Sequence, residues 1–416
     1  MAGVALLVLG ALCAEHTLVA LLGPRRPDRL AYLWFLQGLV TGELALLHVV
    51  WQAVAVELLV ALGALDDAAG DAGLALVAAS WIGLVVLQYR QSRAASVLDG
   101  ALTEATAGSP VALAPTTGRV HLLALLCPLA PPRSGVDARL DVAYGEHPRQ
   151  RLDVLRSTHQ EPNAPVVVHV HGGSWVGGRR ARQSQTQRFE FARRGWVSIA
   201  AGYRVSPDAT FPDHLVDVKR VVAWVREHAD ELDADPACIV LSGISSGAHL
   251  ATLAALTPND TDLQPGFERA DTSVVGCVAT NGIYDLLDRN GDHPGSKLVP
   301  FLTRTVMKSD PVAERAAWDA ASPIVRVHPH APPFLVIHGH DDALVWREEA
   351  QRFVAALRAV TRAPVAYADL PGTQHAFETF CSVRSARTAM AAVRFAEWAR
   401  ASVANGAQGI AARARG

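Results

Sequence analysis

Apolar residues are unevenly spread along this chain, and that unevenness limits what it can fold into. Half of the 416 residues are hydrophobic. The excess gathers in three runs within the first ninety positions: Val4 to Gly23, Ala31 to Leu65 and Gly73 to Tyr89. A helix needs about 20 apolar residues to cross a hydrocarbon core of roughly 30 Å, so the first and third runs just suffice. The second, if helical throughout, would reach ~52 Å at about 1.5 Å per residue and must overhang, tilt or split. It holds no proline, and only Gly38, Gly42 and the near-terminal Gly63 offer a turn, so one long helix is expected over two short ones.

The first run lacks the basic start and small-residue cleavage site of a signal peptide ahead of Pro24-Arg25-Arg26. Residues 1–93 are therefore expected to form a transmembrane helical bundle with spans at about 4–23, 31–65 and 73–89. Arg25, Arg26 and Arg29 follow the first span and Arg90 and Arg93 the third, whereas Asp66, Asp67 and Asp71 follow the second. This alternation of Lys/Arg-bearing ends puts the N-terminus outside and everything after Arg93 in the cytoplasm. Glu15, His16, Glu43, His48 and Glu57 lie within the apolar runs, where charge is expensive. Two readings stay open for them: a lined path for substrate or protons, or groups that are neutral, hydrogen-bonded between helices or near the membrane interface.

Residues 94–137 carry the Pro- and Gly-rich stretches "EATAGSPVALAPTTG" and "CPLAPPRSG", the punctuation of a linker. Between them "RVHLLALLC" is too short to span and suits a docking or interfacial segment. From Asp137 onward the pattern changes. "VVVHVHGG", "WVSIAAGYR", "CIVLSG", "VVGCVATNG" and "PFLVIHGH" read as buried strands, and stretches such as "LVDVKRVVAWVREHADEL" between them have the 3.6-residue period of a helix. The expectation is an α/β domain over 138–405, a mostly parallel sheet with helices on both faces, and a flexible tail at 406–416.

The net charge of −2 offers no basic groove, so a nucleic-acid partner is not expected. The five cysteines are odd in number, widely spaced and free of CxxC, which argues against a disulfide framework or zinc knuckle. They read as buried thiols in a reducing compartment, Cys127 being the least certain of them.

Chemistry concentrates around "CIVLSGISSGAHLATLAAL". Gly243-Ile244-Ser245-Ser246-Gly247 fits GxSxG directly after a strand and at the opening of a helix, the setting of a nucleophile elbow. Ser245 is then the nucleophile, and the backbone N–H of Ser246 faces the oxyanion. Upstream, His171-Gly172-Gly173-Ser174-Trp175 follows a strand, and Gly172 and Gly173 can turn their N–H groups toward a developing negative charge with little strain. The acid and base should follow in the order Asp or Glu, then His. "FLVIHGHDDALV" ends a strand with Asp341 and Asp342, and "YADLPGTQHAF" sets His375 in the loop after the next strand, Val365 to Leu370. Either aspartate can be aimed from such a loop. His249 is expected to pack on the elbow helix; His169, His171, His338, His340, Asp341 and Asp342 lack metal-ligand spacing, so no metal is expected. "DRNGDHPGSKLV" fails as a calcium loop because His293 and Val299 stand where Gly and Glu are needed.

With these motifs in place, Leu140 to Ala399 resembles the α/β-hydrolase superfamily, in particular the carboxylesterases similar to hormone-sensitive lipase and, among them, membrane-associated actinobacterial esterases. The family's HGGxW falls on His171 to Trp175 and its nucleophile on Ser245. Its HGxxD, counted from His338, selects Asp342 over Asp341, and its terminal histidine falls on His375. "YRVSP", Tyr203 to Pro207, looks like the family's YRLxP turn. The usual GxSAGG elbow is altered, with Ser246 for Ala and Ala248 for the last Gly. The resemblance implies a Ser245–Asp342–His375 triad, an oxyanion hole from Gly172, Gly173 and Ser246, and no cofactor. It further implies a small-molecule or lipid ester as substrate. Residues 283–318 are too long for a simple connection, and a lid insertion there is expected to cover the pocket with Trp175. Oligomeric state is left open. "SGAHLA" with "HGGSW" is also similar to kynurenine formamidases, and a non-catalytic receptor on the same fold is the third possibility.

Overall fold

A computed structural model describes residues 1–23, 31–116, 127–131, 133–292 and 297–413. The N-terminal part consists of helices α1 (Ala2–Leu22), α2 (Ala31–Glu43), α3 (Ala45–Ala61), α4 (Ala68–Ser92) and α5 (Ala94–Ala105). Helices α1 and α4 pack along their length because small residues let the backbones touch: a Cβ on Gly73 would stand 2.5 Å from the Leu6 carbonyl carbon. Within this contact the Thr17 and Ser80 hydroxyls pair at 2.9 Å, and Ser80 also donates to Gln52 of α3 at 3.4 Å. Gly3 of α1 abuts Asp67 at one end of the bundle. At the other end Arg90 donates to the Leu21 carbonyl at 2.8 Å. Helices α1 and α4 therefore run parallel, with α3 returning between them.

Two stretches, Ala2–Leu22 and Ala68–Ala105, are long and apolar enough to cross a membrane, and the α2–α3 pair makes a third if counted as one bent span. The single long helix expected over 31–65 is not what forms. The run breaks at Leu44, and α2 and α3 meet at 88°. Tertiary contacts make this break without proline. Gln91 donates to the Gly42 and Glu43 carbonyls at 2.5 and 3.2 Å, supplying partners that a helix end lacks. The Glu43 carboxylate leaves the bundle to pair with Arg384 and to accept from Ser382 at 2.6 Å. Of the other ionisable residues in the apolar runs, Glu15 accepts from Gln37 of α2 at 3.3 Å, His48 accepts from Trp51 at 3.3 Å, and Glu57 is exposed.

The expected linker begins differently too. Its first twelve residues form α5, whose Ala94, Leu98 and Leu102 are buried with Ala368, Phe395 and Trp398 of the following domain. Residues 106–116 stay attached: Trp398 donates to the Val111 carbonyl at 3.2 Å and Arg394 to that of Ala114 at 2.8 Å. "RVHLLALLC" lies, apart from Cys127, outside the described residues, as do Arg25, Arg26 and Arg29. All five cysteines are free; Cys127 is exposed and the other four buried.

The second domain is built on eight strands: β1 (Val136–Ala143), β2 (Arg151–Ser157), β3 (Ala164–Val170), β4 (Val197–Ala201), β5 (Ala234–Ile244), β6 (Gly276–Thr280), β7 (Phe334–Gly339) and β8 (Val365–Leu370). Their order is β1-β2-β4-β3-β5-β6-β7-β8, antiparallel at β1/β2 and β2/β4 and parallel from there on. Helices α6 (Gln185–Arg193), α7 (Asp213–Glu227), α8 (Ser246–Leu256), α9 (Arg347–Val360) and α10 (Val383–Arg413) cover it. One apolar core joins α7, α8 and α9 to the sheet; the other joins α5, α6, α10 and part of α2 to the opposite face. Buried residues on both faces explain why β3 reads as an unbroken apolar run. The expected tail is helical to Arg413, and 414–416 lie outside the described residues.

Replacing Gly73 by Val should force α1 and α4 apart and cost about 1–3 kcal/mol, the usual range for overpacking. Gly100→Ala, at a helical position with nothing near its missing Cβ, should leave stability equal or higher. Thermal unfolding of the full chain in detergent separates the two; equal changes would contradict the packing described.

Candidate active site

Strand β5 runs into α8 through a turn too tight for side chains. A Cβ on Gly243 would stand 2.3 Å from the Gly247 carbonyl oxygen, and one on Gly247 would stand 2.2 Å from that of Val170. Between these glycines Ser245 takes φ 53° and ψ −125°, a region that non-glycine residues enter at a cost of order 1–3 kcal/mol. The Ser245 N–H is satisfied by the Thr280 carbonyl at 2.9 Å, and its side chain is left at the C-terminal edge of the sheet.

Loops after two further strands meet it there. His375, five residues past β8, places Nε2 at 2.9 Å from Ser245 Oγ and Nδ1 at 2.7 Å from Asp342 Oδ2. The other carboxylate oxygen of Asp342 accepts from the Leu344 and Val345 amides at 2.9 and 2.8 Å, which fixes its orientation. Asp341, the rival, donates its own amide to the Thr373 carbonyl and is not the partner of His375. The other histidines are occupied elsewhere. His338 bonds the Val345 carbonyl at 2.8 Å, His340 sits with Asp369 and Arg347, and His169 meets Ser242 within the sheet.

The glycine loop after β3 carries three successive positive φ values, 132° at Gly173, 53° at Ser174 and 60° at Trp175. Tyr203 holds its start: the phenol donates to the His171 carbonyl at 2.9 Å and the ring stacks on the imidazole at 4.4 Å. Gly172 stands close to Ser245, but its N–H is already donated to Gln183 Oε1 at 2.6 Å. That departs from the expected three-amide hole: Gly173 and Ser246 keep amides without an acceptor among the described residues, whereas Gly172 is committed to a side chain. Trp175 is also placed differently from expectation. Its side chain is 1% exposed in the core, donating to His249 at 3.2 Å, so it braces the loop and does not face an open pocket. His249 in turn meets the Ala321 carbonyl at 2.8 Å, just beyond the 283–318 insertion. That insertion is itself anchored by buried Tyr284, Leu302 and Trp318.

Sequence reasoning missed Gln183, which has no motif around it, and Glu378, one turn past the histidine. Both Glu378 carboxylate oxygens are buried without a hydrogen-bond partner among the described residues. Burial pushes its pKa up to about 7, with its own backbone amide and His375 pulling the other way. For His375, burial opposes the charged form, but the bonded Asp342 carboxylate and Glu378 outweigh it, and the pKa lies above the ordinary value. Asp342 has the opposite balance: burial would raise it, while His375 and His338 hold it below the usual carboxylate range.

Comparison with known proteins finds relatives of the second domain. Residues 152–357 match the BD-FAE family. They form a BD-FAE domain of the α/β-hydrolase type. The domain contains Gly172, Gly173, Ser245 and Asp342, while His375 lies beyond the matched residues. The chain is 43% identical over 259 residues to a protein of Mycobacterium tuberculosis named probable carboxylic ester hydrolase LipM, an alignment covering 61% of this chain and 60% of that one. It thus spans less than two thirds of that relative's length. Among solved structures, a truncated carbohydrate esterase from gut microbiota shares the fold at a TM-score of 0.56 and 20% identity, covering 65% of this chain and 99% of that one. Thermogutta terrifontis esterase 2, phosphonylated by sarin, matches at a TM-score of 0.50 and 26% identity, covering 59% of this chain and 87% of that one.

A base at His375 works only when neutral, and its pKa is raised, so kcat/KM should climb with pH through an apparent pKa above the usual histidine value of about 6.5. Glu378→Gln removes a carboxyl group whose ionised form favours the imidazolium and should move that limb to lower pH. A pH profile in which the limb stays put or moves upward would contradict the electrostatics.

Proposed function

We propose that this chain is a serine carboxylesterase held to a membrane by its N-terminal helices. The hydrogen-bonded line from Asp342 through His375 to Ser245, on a backbone turn that tolerates no larger neighbours, carries the assignment. His375 takes the Ser245 proton as Oγ attacks the ester carbonyl, and Asp342 holds the imidazole in the tautomer that accepts at Nε2. The carbonyl oxygen, now carrying the negative charge, is met by the Gly173 and Ser246 amides at the start of α8; Gly172 joins them if Gln183 releases it. The tetrahedral intermediate collapses with loss of the alkoxide, which receives the proton from His375, and leaves an acyl-Ser245. Water, activated by the same histidine, then releases the acid. No cofactor enters this scheme.

In this scheme α1, α3 and α4 cross the membrane and the catalytic domain extends from Ser134 to the end of α10, on the side of Arg90 and Arg93. Those arginines, against a far-end loop at 62–72 without Lys or Arg, make that side the cytoplasm. The described residues of the 283–318 insertion, tied to the core by Tyr284, Leu302 and Trp318, are a fixed wall of the site beside the Trp175 loop. Its substrate is a small-molecule or lipid ester.

Turnover of a p-nitrophenyl ester series by the full chain in detergent tests the activity. Ser245→Ala should abolish it with the unfolding temperature unchanged, and Asp342→Asn should lower kcat by about 10⁴-fold through the wrong tautomer. Full activity in Ser245→Ala would sink the assignment. Turnover of N-formylkynurenine well above that of every ester would replace it with a formamidase.

A further inference from the structure

Helix α2 belongs to the apolar N-terminal region, yet it lies on the active site. The Phe35 ring stands edge-on to the His375 imidazole with centroids 6.5 Å apart. One turn further, Leu39 is buried in the same core as Leu370 and Phe377, which flank the histidine loop. Gly38 between them leaves room for Gln374, the neighbour of His375: a Cβ there would sit 3.3 Å from its side chain. Gln374 in turn accepts from the Ala343 amide of the acid loop at 3.2 Å. The C-terminal end of α2 is tied to the same loop. Glu43 pairs with Arg384, both side chains 1% exposed. Arg384 also donates to the carbonyls of Pro371 and Gly372, at 3.3 and 3.0 Å, at the root of the histidine loop. Separating so buried a pair would strand both charges, so the C-terminal end of α2 is anchored to this loop.

The side of α2 that continues around from Phe35 is apolar and uncovered: Tyr32, whose ring lies 5.7 Å from that of Phe35, Leu33 and Leu36 are 63%, 50% and 38% exposed. Such a cluster is unfavourable in water and marks a contact surface. Its position says which one. Helix α2 sits at the end of the bundle where Leu21 meets Arg90, and it is bent by 88° from α3. If α3 crosses a bilayer, α2 lies along the bilayer surface. The exposed apolar residues of the flanking ends, Leu18 and Leu22 on α1 and Val86 and Tyr89 on α4, extend the same surface.

We infer that α2 is an interfacial lid, one face on His375 and the other in the bilayer, through which Ser245 receives a lipid-borne ester directly from the membrane. An esterase at Ser245, as proposed above, is presupposed. A short water-soluble ester needs no such route, whereas a long-chain ester dissolved in lipid must pass beneath α2 beside Phe35. The lid sets which ester is reached and takes no part in the bond chemistry.

The experiment uses the full chain in phosphatidylcholine vesicles with two substrates, p-nitrophenyl acetate in the water and 4-methylumbelliferyl oleate dissolved in the vesicles. In the Leu33→Asp/Leu36→Asp double variant acetate turnover should stay within about twofold, which also reports folding, while oleate turnover falls about tenfold or more as the lid leaves the lipid. The milder Leu36→Ser should show the same split at about threefold. Equal losses on both substrates, or unchanged oleate turnover in both variants, would overturn the lid. A wild-type chain that cleaves acetate but not vesicle-borne oleate overturns the lid alone. A wild-type chain that cleaves neither removes the esterase and the lid together.

Discussion

Everything in the catalytic domain depends on the crowding where β3 and β5 end. The α8 backbone at Gly247 lies against the carbonyl oxygens of Val170 and His171 so closely that a methyl group would collide with either. This contact lets a helix start directly above the sheet and holds Ser245 in a conformation that an unconstrained chain would leave. The strain is stable because both neighbours are over-determined: β5 is flanked by parallel strands on both sides, and α8 is buried along its whole length. A serine fixed this way needs little from the rest of the site. Two loops have only to bring one imidazole and one carboxylate to the same edge, and the parallel sheet delivers its loops there.

How much of this could be read from the sequence follows from where the information sits. The five central strands were legible as apolar runs because both their faces are covered, and the elbow, the glycine loop and the triad because each is short and local. The first two strands were not: β1 is largely exposed and carries no apolar run, only the short alternation of "VDARLDVA". The choice between Asp341 and Asp342 needed either family spacing or the two amides that grip Asp342. The commitment of the Gly172 amide to Gln183 and the burial of Trp175 were invisible because both depend on partners brought in by folding.

The N-terminal third shows the same lesson on a larger scale. Hydropathy finds apolar runs but cannot see which apolar residues face protein. The break at Leu44 is imposed by Gln91 from one side and Arg384 from the other, residues 47 and 340 positions away in sequence. The apparent linker after Arg93 opens with a helix whose apolar face completes one of the two cores. The N-terminal helices and the α/β domain are therefore one packed unit, joined at α2, at α5 and by the Glu43–Arg384 pair. That union also gives the buried Glu43 a purpose that composition alone left open.

Covalent labelling tests the central claim, an activated serine at position 245, most directly. The full chain in detergent would be treated with a fluorophosphonate, digested, and read by mass spectrometry. The account predicts one phosphonyl adduct, on Ser245, formed slowly or not at all when His375 is replaced by Ala. An adduct confined to another residue, or an unlabelled Ser245 in a folded chain, would contradict it.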